Sequence, residues 1–242
     1  MLEEKKTHVE VKKPQIDVRY LADYMGGSEQ ARRTIVRGCK YRPIARLLQH
    51  DDAKLAIAKS LVNDVATSLH LSSEAARVRS KLATDDFDAK KNAVNADYIE
   101  QFSEVVGDLV LPKADLLPPG PQQSLNIGRV RVTFTPSIRL ARVTRTNKTR
   151  VGALMLRYSK GKPLPSDIGE YQSAAIFGCL CSLGNDDGAE VEKALCVTLD
   201  AYTGASYCAP GKAVYYFNEM RAVCEGIAER WPAIKPPHNS VL

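Results

Sequence analysis

The chain has 242 residues, 44% hydrophobic and 26% charged, with a formal net charge of +6. That is enough apolar material for a sizeable core, and one domain with a helical extension accounts for it. No run approaches the length of an apolar span and the N-terminus is charged from Glu3 onward, which excludes reading a signal peptide or transmembrane helix; a cytoplasmic protein without membrane contact is the expectation.

Residues 1–18 are charged, lack a core pattern and are expected to form a flexible arm. Residues 19–111 read as all-helical. Ser28 caps a helix running to about Arg37, with Glu29 in its first turn. After the break at Tyr41-Arg42-Pro43, a helical pattern returns from Ile44 or Asp51 to about Val62, with Leu55, Ile57, Ala58 and Leu61 as apolar positions. Ser72 or Ser73 opens another helix with Ala76, Val78 and Leu82. Asn95 or Ala96 opens one more, with Ile99, Phe102, Val105, Val106 and Leu109 in an apolar stripe. Residues 112–127 hold Pro112, Pro118, Pro119, Gly120 and Pro121, which forbid a continuing helix and read as a connector.

Residues 128–242 read as an α/β core. Arg129–Thr135 alternates polar and apolar residues, the period of a half-buried strand, and Ser137–Val143 resumes the alternation after Pro136. Asn147 and Lys148 supply a turn, and Arg150–Tyr158 reads as a more buried strand. Pro163 and Pro165 end the run, and Ser166 caps a small, apolar helix over about 167–183. Gly184–Gly188 is a turn, Lys193–Tyr202 a strand, and Ala205–Cys208 a segment that can pair back. A last helix, about Lys212 to Trp231, carries Val214, Phe217, Met220, Val223, Cys224 and Ile227 on one face. The fold class is therefore α+β: a helical N-terminal part, then a small mixed β-sheet with flanking helices.

Charge is unevenly distributed. Residues 1–111 hold 18 basic and 17 acidic residues, 112–162 hold 11 and one, and 163–242 hold five and ten. The excess positive charge thus falls on the three-strand region, as Arg129, Arg131, Arg139, Arg142, Arg145, Lys148, Arg150, Arg157, Lys160 and Lys162. A DNA or RNA backbone is the natural partner of such a field, and a solvated sheet face that discourages edge pairing is the structural alternative. A second basic run, Arg32, Arg33, Arg37, Lys40, Arg42 and Arg46, could also meet phosphate or be an ordinary polar helix face.

The six cysteines lack a C-x-x-C pair, and Cys179 and Cys181 diverge by about 200° on a helix, so no zinc site is argued and reduced, mostly buried thiols are expected. His8, His50, His70 and His238 are scattered beside no evident nucleophile, and neither a P-loop nor a G-x-G-x-x-G is present.

The order of elements from Tyr98 to Tyr207 resembles the core of the PD-(D/E)XK nuclease-like fold, in particular its recombination-exonuclease branch. The resemblance implies a divalent metal such as Mg²⁺ held by an acid at the second strand and a D/E-x-K pair on the third, where carboxylates supply hard oxygen ligands and the lysine steadies developing charge. Ser137 stands where the Asp is expected, and Gly152-Ala153-Leu154-Met155-Leu156 offers neither acid nor lysine. Glu170-Tyr171-Gln172 is similar to the branch's Gln/Tyr helix motif, with Ile176 in place of the aromatic residue that follows. In general character the chain also resembles uncharacterised bacterial proteins.

The expected function is a nucleic-acid-associated protein with a catalytically degenerate nuclease-like core, a type that recurs in mobile-element and defence systems. One alternative is a metal-dependent DNA nuclease with migrated carboxylates, for which Glu100, Glu104, Glu170 and Asp200 are the candidates. Another is a non-enzymatic subunit whose basic surface meets an acidic protein partner.

Overall fold

The computed structural model describes residues 6–45, 49–184, 188–238 and 240–242. The protein is α+β. Two strands open it, β1 (His8–Glu10) and β2 (Gln15–Asp17), followed by α1 (Val18–Gly26), α2 (Glu29–Lys40) and β3 (Tyr41–Pro43). Three helices come next, α3 (Asp51–Val62), α4 (Ser68–Arg79) and α5 (Asp86–Val105). Then come β4 (Asp115–Leu117), β5 (Gln123–Ile127), β6 (Val130–Phe134), β7 (Ile138–Val143), β8 (Thr149–Arg157), α6 (Ser166–Leu183), β9 (Glu190–Asp200), β10 (Ser206–Cys208) and α7 (Ala213–Arg230).

The central sheet has the order β10-β9-β8-β7-β4. Strands β8 and β9 are parallel and joined through α6, whereas the other neighbours are antiparallel. Both faces are covered. Leu154 and Leu156 of β8, with Leu195, Val197 and Leu199 of β9, face a core built with α3, α4 and α5. Their alternates Ala153, Met155 and Cys196 face a second core with α1, α6 and α7. A strand covered on both faces reads as a continuous apolar run, which is why Val151–Leu156 has no polar interruption.

The arm over 1–18 is a corrected expectation. Its described part enters two sheets: β1 pairs with β3, and β2 runs parallel to β6 with Ile16 opposite Val132. Ile16 is only 2% exposed. The segment was illegible because three-residue strands are too short to show a period. Asp17 then caps α1, accepting from Arg19 N at 2.9 Å, and receives the Thr133 hydroxyl at 3.2 Å. The connector over 112–127 also does more than connect. It contributes β4 to the central sheet and β5 to the three-stranded sheet β2-β6-β5, its prolines lying outside both strands.

Helix boundaries follow their caps. Ser28 accepts from Ala31 N and starts α2 as expected. The starts of α4 and α5 are earlier than the apolar pattern implies. Thr67 caps α4 through His70 N, and Asp85 caps α5 through Asp88 N. Asn95 lies inside α5, buried, where its amide accepts from Ala53 N and donates to the Gln49 and Lys91 carbonyls, pinning the start of α3. Leu82 lies beyond α4 and is exposed. Pro165, not Ser166, takes the cap position of α6, with no side-chain cap bond. Asn147 turns β7 into β8 at φ 56°, as its tolerance of left-handed backbone requires. On α7, Phe217, Met220, Cys224 and Ile227 are buried, whereas Val214 is exposed. Asn185, Asp186 and Asp187 of the expected turn after α6 lie outside the described residues, as does Arg46. Among the described residues no helix is long and apolar enough to cross a membrane.

Candidate nucleic-acid interface

Nine of the ten basic residues of the three-strand region, all but the exposed Lys162, lie on elements that do not make one open face. Arg131 lies on β6, in the small sheet, with its guanidinium 3.3 Å from Ser124 Oγ. Arg129, beside it, pairs with Glu225 at 2.7 Å and Glu229 at 3.1 Å, both on α7. Arg139 and Arg142 lie on β7. Arg139 donates to the Pro118 carbonyl at 3.0 Å, and Arg142 pairs with Glu192 of β9. Lys148 and Arg150 share Glu190, also of β9, and Lys160 pairs with Asp97 at 3.0 Å. Arg145 sits exposed in the turn before β8. The acids that neutralise six of the nine come from α5, β9, α7 and α1, so much of the segment's charge is met by carboxylates from elsewhere in the chain. Exposed pairs of this kind contribute about 0 to 1 kcal/mol each and remain available for exchange with phosphate.

Arg157 differs from the rest. It is largely buried, and its guanidinium donates to Asp23 Oδ1 at 2.6 Å, Gln172 Oε1 at 2.8 Å and the Arg19 carbonyl at 3.2 Å. Burial lowers its pKa, against the opposing pull of Asp23. Gln172, from the helix motif noted in the sequence, therefore serves to hold an arginine at the end of β8.

That arginine borders a cleft of about 1000 Å³ between β2, α2, α3 and the end of the central sheet. Among the described residues four cations line it, Arg19, Arg42, Lys54 and Arg157, against two acids, Asp17 and Asp51. Lys54 has no hydrogen-bond or ion-pair partner among the described residues. Burial, followed by the Arg19 charge, pushes its ammonium below the usual lysine range, and Arg157 adds to the effect. His50 is lowered in the same way, by burial and then by Lys54 and Arg19, and its Nδ1 is buried without a partner among the described residues. Converging positive charges with too few counter-charges favour an anion in the cleft. At its rim Tyr20 is 43% exposed, with the Arg19 guanidinium 5.1 Å from its ring centroid.

The resemblance can be tested here, because Pro136, Ser137, Met155, Leu156 and Arg157 all line this cleft. Ser137 accepts from Leu156 N at 3.1 Å and donates its own N–H to the Leu154 carbonyl, stitching β7 to β8. The second- and third-strand positions thus meet, and they hold a hydroxyl, a thioether and a guanidinium rather than carboxylates. The migrated candidates do not replace them. Asp200 is buried and accepts from Leu164 N, Tyr202 N and Thr203 Oγ1, supporting the turn at Gly204. Glu100 pairs with Arg79, Glu104 lies near Gln101, and Glu170 sits on α6. Among the described residues no group of three or more His, Cys, Asp or Glu is placed to hold a metal. The residues present at these positions do not fit a Mg²⁺ centre.

Sequence reasoning missed Arg19, Lys54 and Asp17. Lys54 did leave a signal, a charge opening the apolar run Leu55 to Ala58 of α3, which Lys59 closes. Of the second basic run, Arg42 reaches the cleft, whereas Lys40 is buried and donates to the Trp231, Pro232 and Ile234 carbonyls. No protein-family model and no curated protein matches this sequence, so the functional reading rests on the chemistry of the cleft.

Proposed function

We propose that the protein is a nucleic-acid-associated module with a catalytically degenerate nuclease-like core. The observation that carries this reading is the cationic lining of the cleft where β7 and β8 meet: Arg19, Arg42, Lys54 and Arg157 around a site whose strand positions are Ser137 and Met155. The order of β7, β8, α6 and β9 in the central sheet supports it, although β6, the first strand of the resemblance, pairs instead in the separate three-stranded sheet. Phosphate is the anion that such a lining suits, and the neighbouring Thr135 and Ser137 hydroxyls offer further donors. The cytoplasm is the compartment that goes with this reading.

The test is fluorescence anisotropy with labelled single-stranded and duplex DNA and RNA at two salt concentrations, with Mg²⁺ present and the recovered strands run on a gel. Expected are salt-weakened binding, intact strands, and in Lys54→Met a salt slope smaller by about one phosphate contact. Cut strands would replace this reading with the nuclease. Absence of binding at low salt would sink both and leave an acidic protein as the partner.

A further inference from the structure

A second cavity, of about 300 Å³, lies on the other side of α2 from the cleft. Helices α1, α2 and α7 and the segment after α7 enclose it, and it takes no part in the function proposed above. Its floor is apolar, formed by Val36, Ile227 and Ile234 with the Tyr24 ring. Its rim is cationic. Arg32, Arg33, Arg37, Arg230 and Lys235 line it, and Glu29 is the only acid among the described lining residues. Glu29 is itself engaged with Arg33 at 3.2 Å.

Two of these guanidiniums are held in place by neutral groups rather than by carboxylates. Arg32 donates through Nε to the Tyr24 carbonyl at 2.9 Å and through Nη2 to the Met25 carbonyl at 3.1 Å, and lies 5.4 Å from the Tyr24 ring centroid. Arg230 donates to the Gly226 carbonyl at 3.1 Å and to Tyr24 Oη at 2.9 Å. A carbonyl orients a guanidinium without neutralising it, and each fork keeps free N–H donors. Arg37 and Lys235 have no hydrogen-bond or ion-pair partner among the described residues. The cavity is thus preformed, apolar within and net positive at its mouth, and its volume is at the lower end of small-molecule sites, about 300 to 1,000 Å³. Guanidinium forks from two helices suit a dianionic group with several acceptor oxygens better than a single carboxylate.

We propose that this cavity binds a small organic phosphate with a flat apolar body, of the size of a nucleoside monophosphate. The phosphate sits between Arg32 and Arg230, and the body lies against Val36, Ile227 and Ile234. Calorimetric titration of the full chain at low salt with AMP, adenosine and inorganic phosphate tests it. Binding of AMP at one site is expected, with adenosine and inorganic phosphate each weaker by about tenfold or more, because each supplies half of the recognition. Arg37→Ala and Lys235→Ala alter exposed side chains and leave the packing intact, and each is expected to weaken AMP severalfold. Arg230→Met is expected to weaken it by about tenfold or more. Lys54→Met, on the other side of α2, is expected to leave AMP affinity unchanged. The proposal is overturned if AMP gives no heat at concentrations of about 10 mM, if the Arg37, Lys235 and Arg230 variants bind as the parent does, or if Lys54→Met is the variant that abolishes binding. The last outcome would assign the phosphate to the cleft.

Discussion

Replacing Arg157 by Met separates a structural arginine from a ligand-binding one. The guanidinium makes three hydrogen bonds, to Asp23, Gln172 and the Arg19 carbonyl, and its pair with Asp23 is mostly shielded from water. Removing it strands the Asp23 carboxylate and leaves the fully buried Gln172 amide without a partner, since its Nε2 already has none among the described residues. Breaking one side of a buried pair costs about 3 to 5 kcal/mol, mainly through the charge left behind. With a urea dependence of about 1 to 3 kcal/mol per molar, at the upper end for a chain of this length, the midpoint should fall by about 1 to 2 M. Urea unfolding followed by far-UV circular dichroism measures it. The double variant with Asp23→Asn should recover part of the loss, because the stranded charge is gone, giving a coupling of about 0.5 to 3 kcal/mol. A loss below about 1 kcal/mol, the range of an exposed pair, would refute the argument that Arg157 holds β8, α1 and α6 together.

Other outcomes follow from packing and titration. A Cβ on Gly152 would fall inside contact distance of the Leu195 carbonyl, a backbone atom, so Gly152→Ala should cost at least about 1 to 3 kcal/mol by the same urea assay. A Cβ on Gly178 would meet the Phe217 ring instead, and Gly178→Ala should force α6 and α7 apart and lower the thermal midpoint. Native protein at neutral pH should expose two thiols, Cys181 and Cys208, to a disulfide reagent, with Cys39, Cys179, Cys196 and Cys224 reacting only on unfolding. Burial pushes the Cys39 thiol up to about 11 and the Cys224 thiol up to about 12, and raises Cys179 and Cys196 as well. These four stay protonated in the folded state where the unfolded chain ionises. Their contribution is therefore complete below about pH 9 and is lost as pH rises through the folded values, by about 1.4 kcal/mol per pH unit for each such thiol. Equilibrium unfolding between pH 8 and about 11 reads this slope, and a flat profile would contradict the burial of these thiols.

The sequence was most legible where a segment obeys one physical rule by itself. The alternation in Val130–Phe134, the apolar run of Thr149–Arg157 and the small apolar helix Ser166–Leu183 each carry their own period. It was least legible where a partner decides the structure. Gln15–Asp17 becomes a strand only because β6 is there to pair with it, and Asp115–Leu117 only because β7 is. The candidate interface divides in the same way. A count of basic residues along the chain finds Arg142 and Arg150, but cannot see that β9 brings Glu192 to Arg142 of β7 and Glu190 to Arg150 of β8. It also passes over Lys54, whose position is defined by what surrounds it in space rather than by its neighbours in the chain.

Helix α2 carries a further consequence. Thr34, Ile35, Gly38 and Cys39 wall the large cleft, whereas Arg32, Arg33, Val36 and Arg37 wall the smaller cavity. The two chambers share a partition one helix thick, anchored at its C-terminal end by buried Lys40 and lying against α1 at its start. A rigid helix cannot retreat from one chamber without advancing on the other. Should the proposed strand and small phosphate bind on its two sides, whatever factor the phosphate imposes on the affinity of the strand, the strand imposes on the phosphate.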